Sequence, residues 1–411
     1  MNNPIAGIDI GTSKISVLIG EVDEEENLKI LGVGTSPSDG LRKGVVINID
    51  KTIRSIHRAI REAQLMAGVD ISEVYVGIAG DHIRSMNSRG VIAVYRTDNE
   101  ITRQDLTRVI EAAGAVSMPM DREMLHVIPQ EFIVDDQSGI KDPIGMSGVR
   151  LEADVHIVTN SVTSAQNIYK SVEKVGLKVI DIVLSPLASA YSTLEADEKE
   201  LGVALVDIGG GTTDISVFIE DSIRYTGSIG LGGKNITSDV AIGIRTPLER
   251  AEEIKKISGT CVKKGLRKSE YLIVPGVGGR DQREISRATL AAIIEPRMCE
   301  IFDLVLRDLK KKNLLEMLGA GIVLTGGGSL MQGAAELAED VFKMPVKIGV
   351  PGSFGGLMEC ASSPVHATGI GLLKYGFMKG LHDEKDPGIA RGNGKFKSMF
   401  RKVSDWMKQY V

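Results

Sequence analysis

The stretch VALVDIGGGTTDISVF occupies residues 203–218 and places three consecutive glycines between two apolar, strand-like segments. Asp207 enters this glycine turn and Asp214 leaves it. Glycines let backbone N–H groups approach an anion without hindrance from Cβ atoms. An acidic residue at the end of a strand can hold a hydrated Mg2+ that neutralises phosphates. The stretch therefore predicts a hairpin that contacts phosphate.

A shorter version of the same pattern opens the chain, where GIDIGTS at residues 7–13 is followed by the strand-like KISVLI. The match is an internal repeat. Residues 5–34 alternate strands with a glycine turn and an acidic turn, which predicts an antiparallel meander. Because 411 residues exceed one ordinary core, the repeat predicts two related lobes in an α/β fold.

Composition narrows the class of protein further. The net charge of -5 gives no reason to expect nucleic acid as a ligand, and 43% hydrophobic residues are typical of a soluble globular chain. The sequence shows no signal-peptide pattern and no run of 18 apolar residues, so we expect the bulk of the protein in the cytoplasm. Cys261, Cys299 and Cys360 lie far apart, which predicts neither a metal site nor a disulfide framework.

A third glycine cluster lies in GIVLTGGGSL at residues 321–330, where an apolar strand meets a glycine turn. A helical pattern follows, so this turn is expected to bring backbone against a ribose or an adenine.

Two commoner nucleotide-binding motifs are either excluded or only weakly matched by the sequence. The glycines at 209–211 precede an alternating strand rather than a helix, which excludes a P-loop, and GSIGLGGKN at 227–235 lacks the last glycine of a dinucleotide motif.

Two further segments interrupt the repeated pattern. Residues 84–160 predict an inserted α+β unit, with strands at 90–95, 126–134 and 149–159 and a helix at 102–113, and with turn residues between 135 and 145. Residues 236–309 are predicted to be mostly helical and carry many basic side chains. Those charges predict either a solvated face or a docking surface for an acidic peptide.

The ordered glycine motifs resemble those of the actin, hexokinase and heat-shock ATPase superfamily, in which two lobes close over ATP. The resemblance covers residues 5–376 and implies duplicated ribonuclease-H-like lobes joined by helices at 185–190 and 367–373. The lobes and additions that it implies are a first lobe of 1–83, 161–193 and 360–380, the insert at 84–160, a second lobe of 194–235 and 303–359, and an extension at 236–302.

The same resemblance implies ATP and Mg2+ as cofactors, with Asp9 and Asp207 holding Mg2+ mainly through water. Asp207 and Asp214 are the catalytic candidates. The position ahead of Pro186 often holds a Gln or Glu that orients the attacking water, and here it holds Ser185, so at most slow hydrolysis is expected. The implied nucleotide-binding residues are Asp9, Gly11, Thr12, Ser13, Lys14, Asp207, Gly209, Gly210, Gly211, Thr212, Thr213, Gly232, Gly233, Glu252, Lys255, Gly326, Gly327, Gly328 and Ser329.

The end of the chain has a different character. Residues 381–394 are polar and rich in glycine, which predicts a flexible linker. Residues 395–411, KFKSMFRKVSDWMKQYV, have the spacing of an amphipathic helix, which could dock on its own domain or form a coiled coil. Its basic face and the chain's only tryptophan favour an anionic membrane surface. The predicted membrane-contacting residues are Phe396, Met399, Phe400, Arg401, Lys402, Val403, Trp406, Met407 and Tyr410.

An actin-like core with such a tail resembles the FtsA family of bacterial cell-division proteins. The resemblance implies a protein that polymerises on the cytoplasmic face of the plasma membrane at the division site, anchors FtsZ polymers there and recruits later division proteins through the insert. The extension would bind the C-terminal tail of FtsZ, through Arg283, Arg287, Glu295 and Arg297. The alternatives are a small-molecule kinase of the superfamily and an actin-like pilus-assembly adaptor.

Overall fold

The structure is a computed structural model that describes residues 4–385, apart from residues 24, 26, 96, 97, 264, 267–269 and 353. The predicted tail helix at 395–411 therefore lies outside the described residues. In chain order, the elements up to residue 201 are β1 (Ile5–Ile10), β2 (Lys14–Val22), β3 (Leu28–Pro37), β4 (Leu41–Arg42), β5 (Val45–Val46), α1 (Ile49–Ala67), β6 (Glu73–Ile78), β7 (Arg84–Ala93), α2 (Arg103–Gly114), β8 (Arg122–Val134), β9 (Gln137–Ile140), β10 (Arg150–Ser161), α3 (Val162–Glu173), β11 (Lys178–Leu184), α4 (Ser185–Thr193) and α5 (Ala196–Leu201).

The remaining elements run from the long phosphate-type hairpin to the last described helix. They are β12 (Val203–Ile208), β13 (Thr213–Ile219), β14 (Ser222–Ile229), α6 (Gly233–Gly243), α7 (Leu248–Ser258), β15 (Tyr271–Val274), β16 (Arg283–Ser286), α8 (Arg287–Lys311), β17 (Gly321–Thr325), α9 (Ala334–Phe342), β18 (Val346–Ile348), β19 (Gly355–Gly356), α10 (Met358–Ala361) and α11 (Ala367–Lys385). A 3-10 turn at Gly327–Leu330 follows β17.

Two of the sheets share one five-stranded topology, and β19 is an additional edge strand of the first. The first has the strand order β11-β6-β1-β2-β3-β19, and the second has the order β14-β13-β12-β17-β18. In each, an antiparallel meander of three strands pairs through its first strand with a parallel neighbour: β1 with β6, and β12 with β17. The internal repeat in the sequence thus corresponds to two duplicated lobes, as predicted.

Local signals in the sequence set the helices that cover these sheets. Helix α1 is capped at its start by Asn48, whose side chain accepts a hydrogen bond from the Lys51 N–H at 2.9 Å, and Gly68 follows its end in the left-handed region. Helix α8 is capped by Ser286, whose side chain accepts a hydrogen bond from the Thr289 N–H at 3.1 Å. Its buried side chains recur every three or four residues and form the centre of the second lobe's core: Leu290, Ile294, Met298, Ile301, Phe302, Val305 and Leu309.

The insert is a separate four-stranded sheet with the order β7-β10-β8-β9, covered by α2. It has its own hydrophobic cluster around Val109, Ile110 and Phe132. Side chains of the insert also bond to the second lobe: Gln130 Nε2 donates to the Ile223 carbonyl at 2.6 Å, and His156 Nε2 lies 3.0 Å from Thr226 Oγ1. The predicted α+β insert is therefore present, and it contacts both lobes.

The two predicted connecting helices, α4 and α11, pack tightly against each other. A Cβ atom added to Gly371 would lie 1.7 Å from the Ala188 carbonyl oxygen, so only glycine allows this approach. Farther along α11, Lys379 Nζ forms an ion pair with Asp181 at 2.9 Å, and both side chains are buried. Among the described residues, no helix combines the length and apolarity that a membrane span requires.

The stretch at 236–309 is mostly helical, as predicted, and it contains an antiparallel hairpin of β15 and β16. Three details of the predicted structure are wrong. Ser138 and Gly139 lie in strand β9 rather than in a turn, because β8 offers them a free edge. Helix α11 continues to Lys385, into the predicted linker, and its helix-breaking signal comes only at Pro387. Strand β19 pairs with β3 of the first lobe, although the sequence assigned it to the second.

Candidate functional site

The glycine turns of the two lobes face each other across a cleft. A Cβ atom added to Gly210, in the β12–β13 turn, would lie 1.9 Å from Ser13 Oγ in the β1–β2 turn. One added to Gly211 would lie 2.6 Å from Thr12 Oγ1. The β1–β2 and β12–β13 turns therefore lie side by side, so the two predicted phosphate-contacting turns are neighbours in the fold.

The third glycine cluster packs beside the second hairpin. Strand β17 runs parallel to β12 and places Thr325 opposite Asp207. Gly326 follows with a φ of 78°, and a Cβ atom there would lie 2.2 Å from Asp207 Oδ1. A side chain at Gly326 would thus be both strained and blocked by the carboxylate. Gly327, Gly328 and Ser329 continue into the 3-10 turn next to Ile208.

Helix α6 begins against the same hairpin. The Gly233 N–H donates to the Gly209 carbonyl at 2.9 Å, and the Lys234 N–H donates to the Gly210 carbonyl at 2.8 Å. From α7, Lys255 Nζ donates to the Gly233 carbonyl at 3.1 Å and to Glu252 Oε2 at 2.6 Å. The structure therefore brings Glu252 and Lys255 to the base of α6, beside the glycine turn.

Three aspartates and one lysine define the electrostatics of the cleft. Asp9 ends β1, while Asp207 and Asp214 face each other across the second hairpin. Desolvation raises the pKa of Asp9, and Lys14 opposes that rise. Desolvation, with a contribution from Asp214, raises the pKa of Asp207 to about 7, and it raises the pKa of Asp214 to about 6. Burial lowers the pKa of Lys14, although Asp9 and Asp207 counter it. The site holds more acidic charge than Lys14 can neutralise.

Asp207 also contacts the helices that connect the lobes. Ser189 Oγ of α4 donates to Asp207 Oδ2 at 2.8 Å and lies 3.0 Å from Thr368 Oγ1 of α11. Ser185, the first residue of α4, is buried, and its Oγ would lie 3.0 Å from a Cβ atom at Gly77. A hydroxyl, rather than a carboxylate or an amide, therefore occupies the position ahead of Pro186.

Two contacts of the site were not anticipated from the sequence. Lys234 Nζ donates to the Thr12 carbonyl at 2.6 Å and so links α6 of the second lobe to the first hairpin. The position of Lys234 directly after Gly232 and Gly233 is a sequence signal that could have nominated it as a site residue. No such signal exists for Ser189, because a buried serine that contacts the site does not differ in sequence from a serine that only packs in a helix.

The predicted partner residues lie on β16 and α8, and each is engaged within the chain. Arg283 donates to the carbonyls of Ile244 and Arg245, and Arg287 bonds Glu270, Gln332 and the Ser258 carbonyl. Arg297 pairs with Asp239 and Glu300, and Glu295 pairs with Lys263 at 3.3 Å. These internal pairs neutralise much of the basic charge that the sequence offered to an acidic peptide.

The described residues contain no group of three or more His, Cys, Asp or Glu side chains arranged to hold a metal ion. Of the described cysteines, Cys261 is buried and Cys299 is half-buried, and both are free thiols.

Known structures show which class of fold this is. The structure superposes on the PilM-PilN type IV pilus biogenesis complex with a TM-score of 0.66, over 91% of this chain and 98% of that one, at 17% identity. It also superposes on Spiroplasma citri MreB5 bound to ADP, with a TM-score of 0.57 over 94% of this chain and 99% of that one, at 16% identity. The fold is thus the actin-like fold, with two duplicated lobes around a central cleft.

Sequence relatives define the family. The model of "Cell division protein FtsA" matches residues 204–371, and that of "SHS2 domain inserted in FTSA" matches residues 80–159. Cell division protein FtsA of Pseudomonas aeruginosa is 52% identical over 91% of this chain and 89% of its own length. The Escherichia coli K12 protein of that name is 40% identical over 98% of this chain and 97% of its own. The chain belongs to the FtsA family of cell division proteins, which confirms its predicted role in cell division.

Proposed function

We propose that the cleft between the lobes binds ATP with Mg2+. The β1–β2 and β12–β13 turns would hold the phosphates, with N–H groups and hydroxyls contributed by Thr12, Ser13 and the glycines at 209–211. The turn at Gly326–Ser329, together with Glu252 and Lys255, would contact the nucleoside. The face-to-face approach of the two hairpins is the observation that carries this proposal.

The residues at the site fit this group. The glycines leave these turns without side chains, so phosphate oxygens can reach backbone N–H groups, whereas a Cβ atom at Gly210 or Gly211 would meet Ser13 or Thr12 of the other hairpin. Bound Mg2+ would neutralise both the phosphates and the carboxylates, whose pKa values are raised in its absence. Asp9 and Asp207 are half-buried rather than fully buried residues, which leaves each some exposed surface for a hydrated ion.

Hydrolysis in this cleft would be slow at most. Ser185 has no carboxylate to accept a proton from the attacking water, and Asp214 is buried beneath the hairpin. Nucleotide binding would then act mainly by holding the two lobes together. The contacts of Asp207 with Ser189 and of Ser189 with Thr368 would couple nucleotide binding in the cleft to the positions of α4 and α11.

At the level of the cell, we propose that the protein polymerises on the cytoplasmic face of the membrane, anchors FtsZ polymers there through the tail at 395–411, and recruits later division proteins through the insert. The extension would take the C-terminal tail of FtsZ. Arg287 and Arg297 are paired with acids within the chain, so we expect apolar contact to contribute much of the binding. The extension exposes large apolar side chains for it: Ile242 (76% exposed), Ile257 (83%), Tyr271 (56%) and Ile273 (72%).

The two alternatives have less support. A small-molecule kinase needs a carboxylate base facing an acceptor hydroxyl, whereas the three aspartates here surround the site proposed for Mg2+. A pilus-assembly adaptor shares the fold, as the likeness to PilM shows, but at 17% identity that likeness supports the fold alone. The identities of 40–52% to FtsA proteins favour the division role.

Calorimetric titration with ATP, with and without Mg2+, tests the cleft. The wild-type chain is expected to bind ATP more tightly when Mg2+ is present, and Asp207→Ala is expected to lose that Mg2+ dependence while it still binds ATP weakly. The Asp340→Ala variant, altered at an exposed position of α9 in the same lobe, serves as the control. Full Mg-ATP affinity in Asp207→Ala would reject the proposed role of this carboxylate.

A further inference from the structure

A cavity separate from the interlobe cleft lies where three elements meet. It has a volume of about 560 Å3 and is lined by the start of β7 in the insert, by β14 of the second lobe and by the C-terminal half of α8. This volume falls within the range of small-ligand pockets, roughly 300–1,000 Å3. Ser85 Oγ, at the start of β7, donates to the Thr226 carbonyl of β14 at 2.7 Å and fixes one wall to the other.

The walls of this cavity carry an excess of positive charge. Arg84 comes from β7, Arg307 and Lys311 come from α8, and Lys312 directly follows α8. The acidic residue of the lining, Asp308, accepts a hydrogen bond from Tyr225, and this contact, together with desolvation, raises the pKa of that phenol. In the described part of the chain, Arg307 and Lys311 form no ion pair or side-chain hydrogen bond. Their charges are therefore available to a ligand.

Helix electrostatics explain only some of these cations. Lysines in the last turn of α8 are favoured by the helix dipole, which accounts for Lys311 as a feature of the helix itself. Arg84 belongs to β7, yet it lines the same cavity as the cations of α8 although like charges repel one another. Arg84 uses Nη1 on the carbonyls of Asp81 and Ile83, which orients its guanidinium. The convergence of cations from two domains on one cavity is typical of an anion site.

Apolar and aromatic groups form part of the same lining. Ile83, Ile229 and Leu304 line the cavity, and the Tyr225 ring lies beside Lys312, whose Nζ is 5.4 Å from the ring centroid. A ligand that matches these walls carries its charge at one end and an organic body at the other. The cations number four, which suits a ligand with more than one phosphate.

We propose that this cavity is a second anion-binding site, which takes a small soluble organic ligand with two or more phosphate groups. The ligand would contact Arg84 of the insert and Arg307 and Lys311 of α8 at once, so it would strengthen the attachment of the insert to the second lobe. The site is distinct from the interlobe cleft, because none of the residues proposed to bind ATP lines it.

Calorimetric titration of the full chain with inorganic triphosphate tests this proposal. The titration is run in buffer alone and again with saturating Mg2+ and one equivalent of a non-hydrolysable ATP analogue, so that the nucleotide cleft is filled and a second site is left free. The wild-type protein is expected to bind triphosphate in both conditions. The Arg307→Glu/Lys311→Glu variant is expected to bind it at least tenfold more weakly, and Arg307→Lys/Lys311→Arg is expected to retain the affinity because it keeps both charges.

The matched control is Arg54→Glu/Arg61→Glu, which makes the same charge change on the exposed face of α1 and is expected to alter triphosphate affinity less than twofold. Urea unfolding of each variant verifies the fold, and Arg307→Gln/Lys311→Gln, with an expected intermediate loss, replaces the charge reversal if that variant unfolds. Equal affinity in wild type and Arg307→Glu/Lys311→Glu overturns the proposal. So does an equal loss in the control, or triphosphate binding that the ATP analogue abolishes. Failure of the analogue itself to bind would instead reject the proposed function.

Discussion

The contact between Gly210 and Ser13 gives the sharpest test of how the two lobes close. In Gly210→Ala, the new Cβ atom would lie 1.9 Å from Ser13 Oγ and 2.6 Å from Ser13 Cβ, far inside the 3.4 Å at which ordinary van der Waals contact begins. The two hairpins must then move apart. Overpacking of this kind costs about 1–3 kcal/mol, which corresponds to a loss of about 5- to 150-fold in ATP affinity if the closed cleft is the form that binds.

Two further variants isolate the cause. Ser13→Gly removes both clashing atoms, and the nearest remaining atom to the new Cβ would be the Ser13 nitrogen at 3.3 Å. The double variant Gly210→Ala/Ser13→Gly is therefore expected to bind ATP more tightly than Gly210→Ala alone, a positive coupling in a double-mutant cycle. Gly352→Ala is the control, since a Cβ atom there meets nothing within 4 Å.

The assay is equilibrium binding of a fluorescent ATP analogue, with urea unfolding of the same variants as a measure of the fold. Unchanged affinity in Gly210→Ala would refute the reasoning, because it would mean that the hairpins need not approach each other to bind the nucleotide. An equal loss in Gly210→Ala and in the double variant would also contradict it, since relief of the clash would then have no effect.

Two other predictions concern pH and partner binding. Because the pKa of Asp207 is raised to about 7 in the folded chain, the free energy of unfolding of the nucleotide-free wild type should fall, relative to that of Asp207→Asn, as pH rises from about 4 to 7. Urea unfolding of both chains at pH 5 and pH 8 measures this difference. The same pH dependence in both chains would contradict the prediction. Ile273→Glu should weaken binding of an FtsZ tail peptide about 10- to 150-fold in fluorescence anisotropy, at unchanged ATP affinity, because burial of an isoleucine side chain contributes about 1.5–3 kcal/mol. The control is Leu201→Glu, which changes an exposed residue of α5. Equal peptide affinity in the wild type, Ile273→Glu and Leu201→Glu would exclude this surface.

The glycine turns could be predicted from the sequence because their chemistry is local. Three glycines between two apolar strands admit few backbone arrangements. The sequence therefore predicts the hairpins on both sides of the cleft and the repeat that implies two lobes. Asp207 and Asp214 were placed correctly at the ends of their strands for the same reason.

Contacts between distant segments could not be predicted in this way. The arginines at 283, 287 and 297 looked available to a partner, but β16 and α8 bring them against carbonyls and acids from α6, α7 and the Glu270 segment. The β15–β16 hairpin was missed because its strands are four residues long and sit among helical patterns. Lys234 and Ser189 reach the cleft only through tertiary packing, which a sequence pattern does not record.

Co-sedimentation of FtsZ with liposomes that contain anionic lipids tests the central claim most directly. The full chain and a chain that ends at Gly394 are compared, each with FtsZ and with or without Mg-ATP. The full chain is expected to carry FtsZ into the pellet, more so with Mg-ATP, while the shorter chain leaves FtsZ in the supernatant and still binds its tail peptide. Equal pelleting of FtsZ by both chains would contradict the account of an ATP-governed membrane anchor.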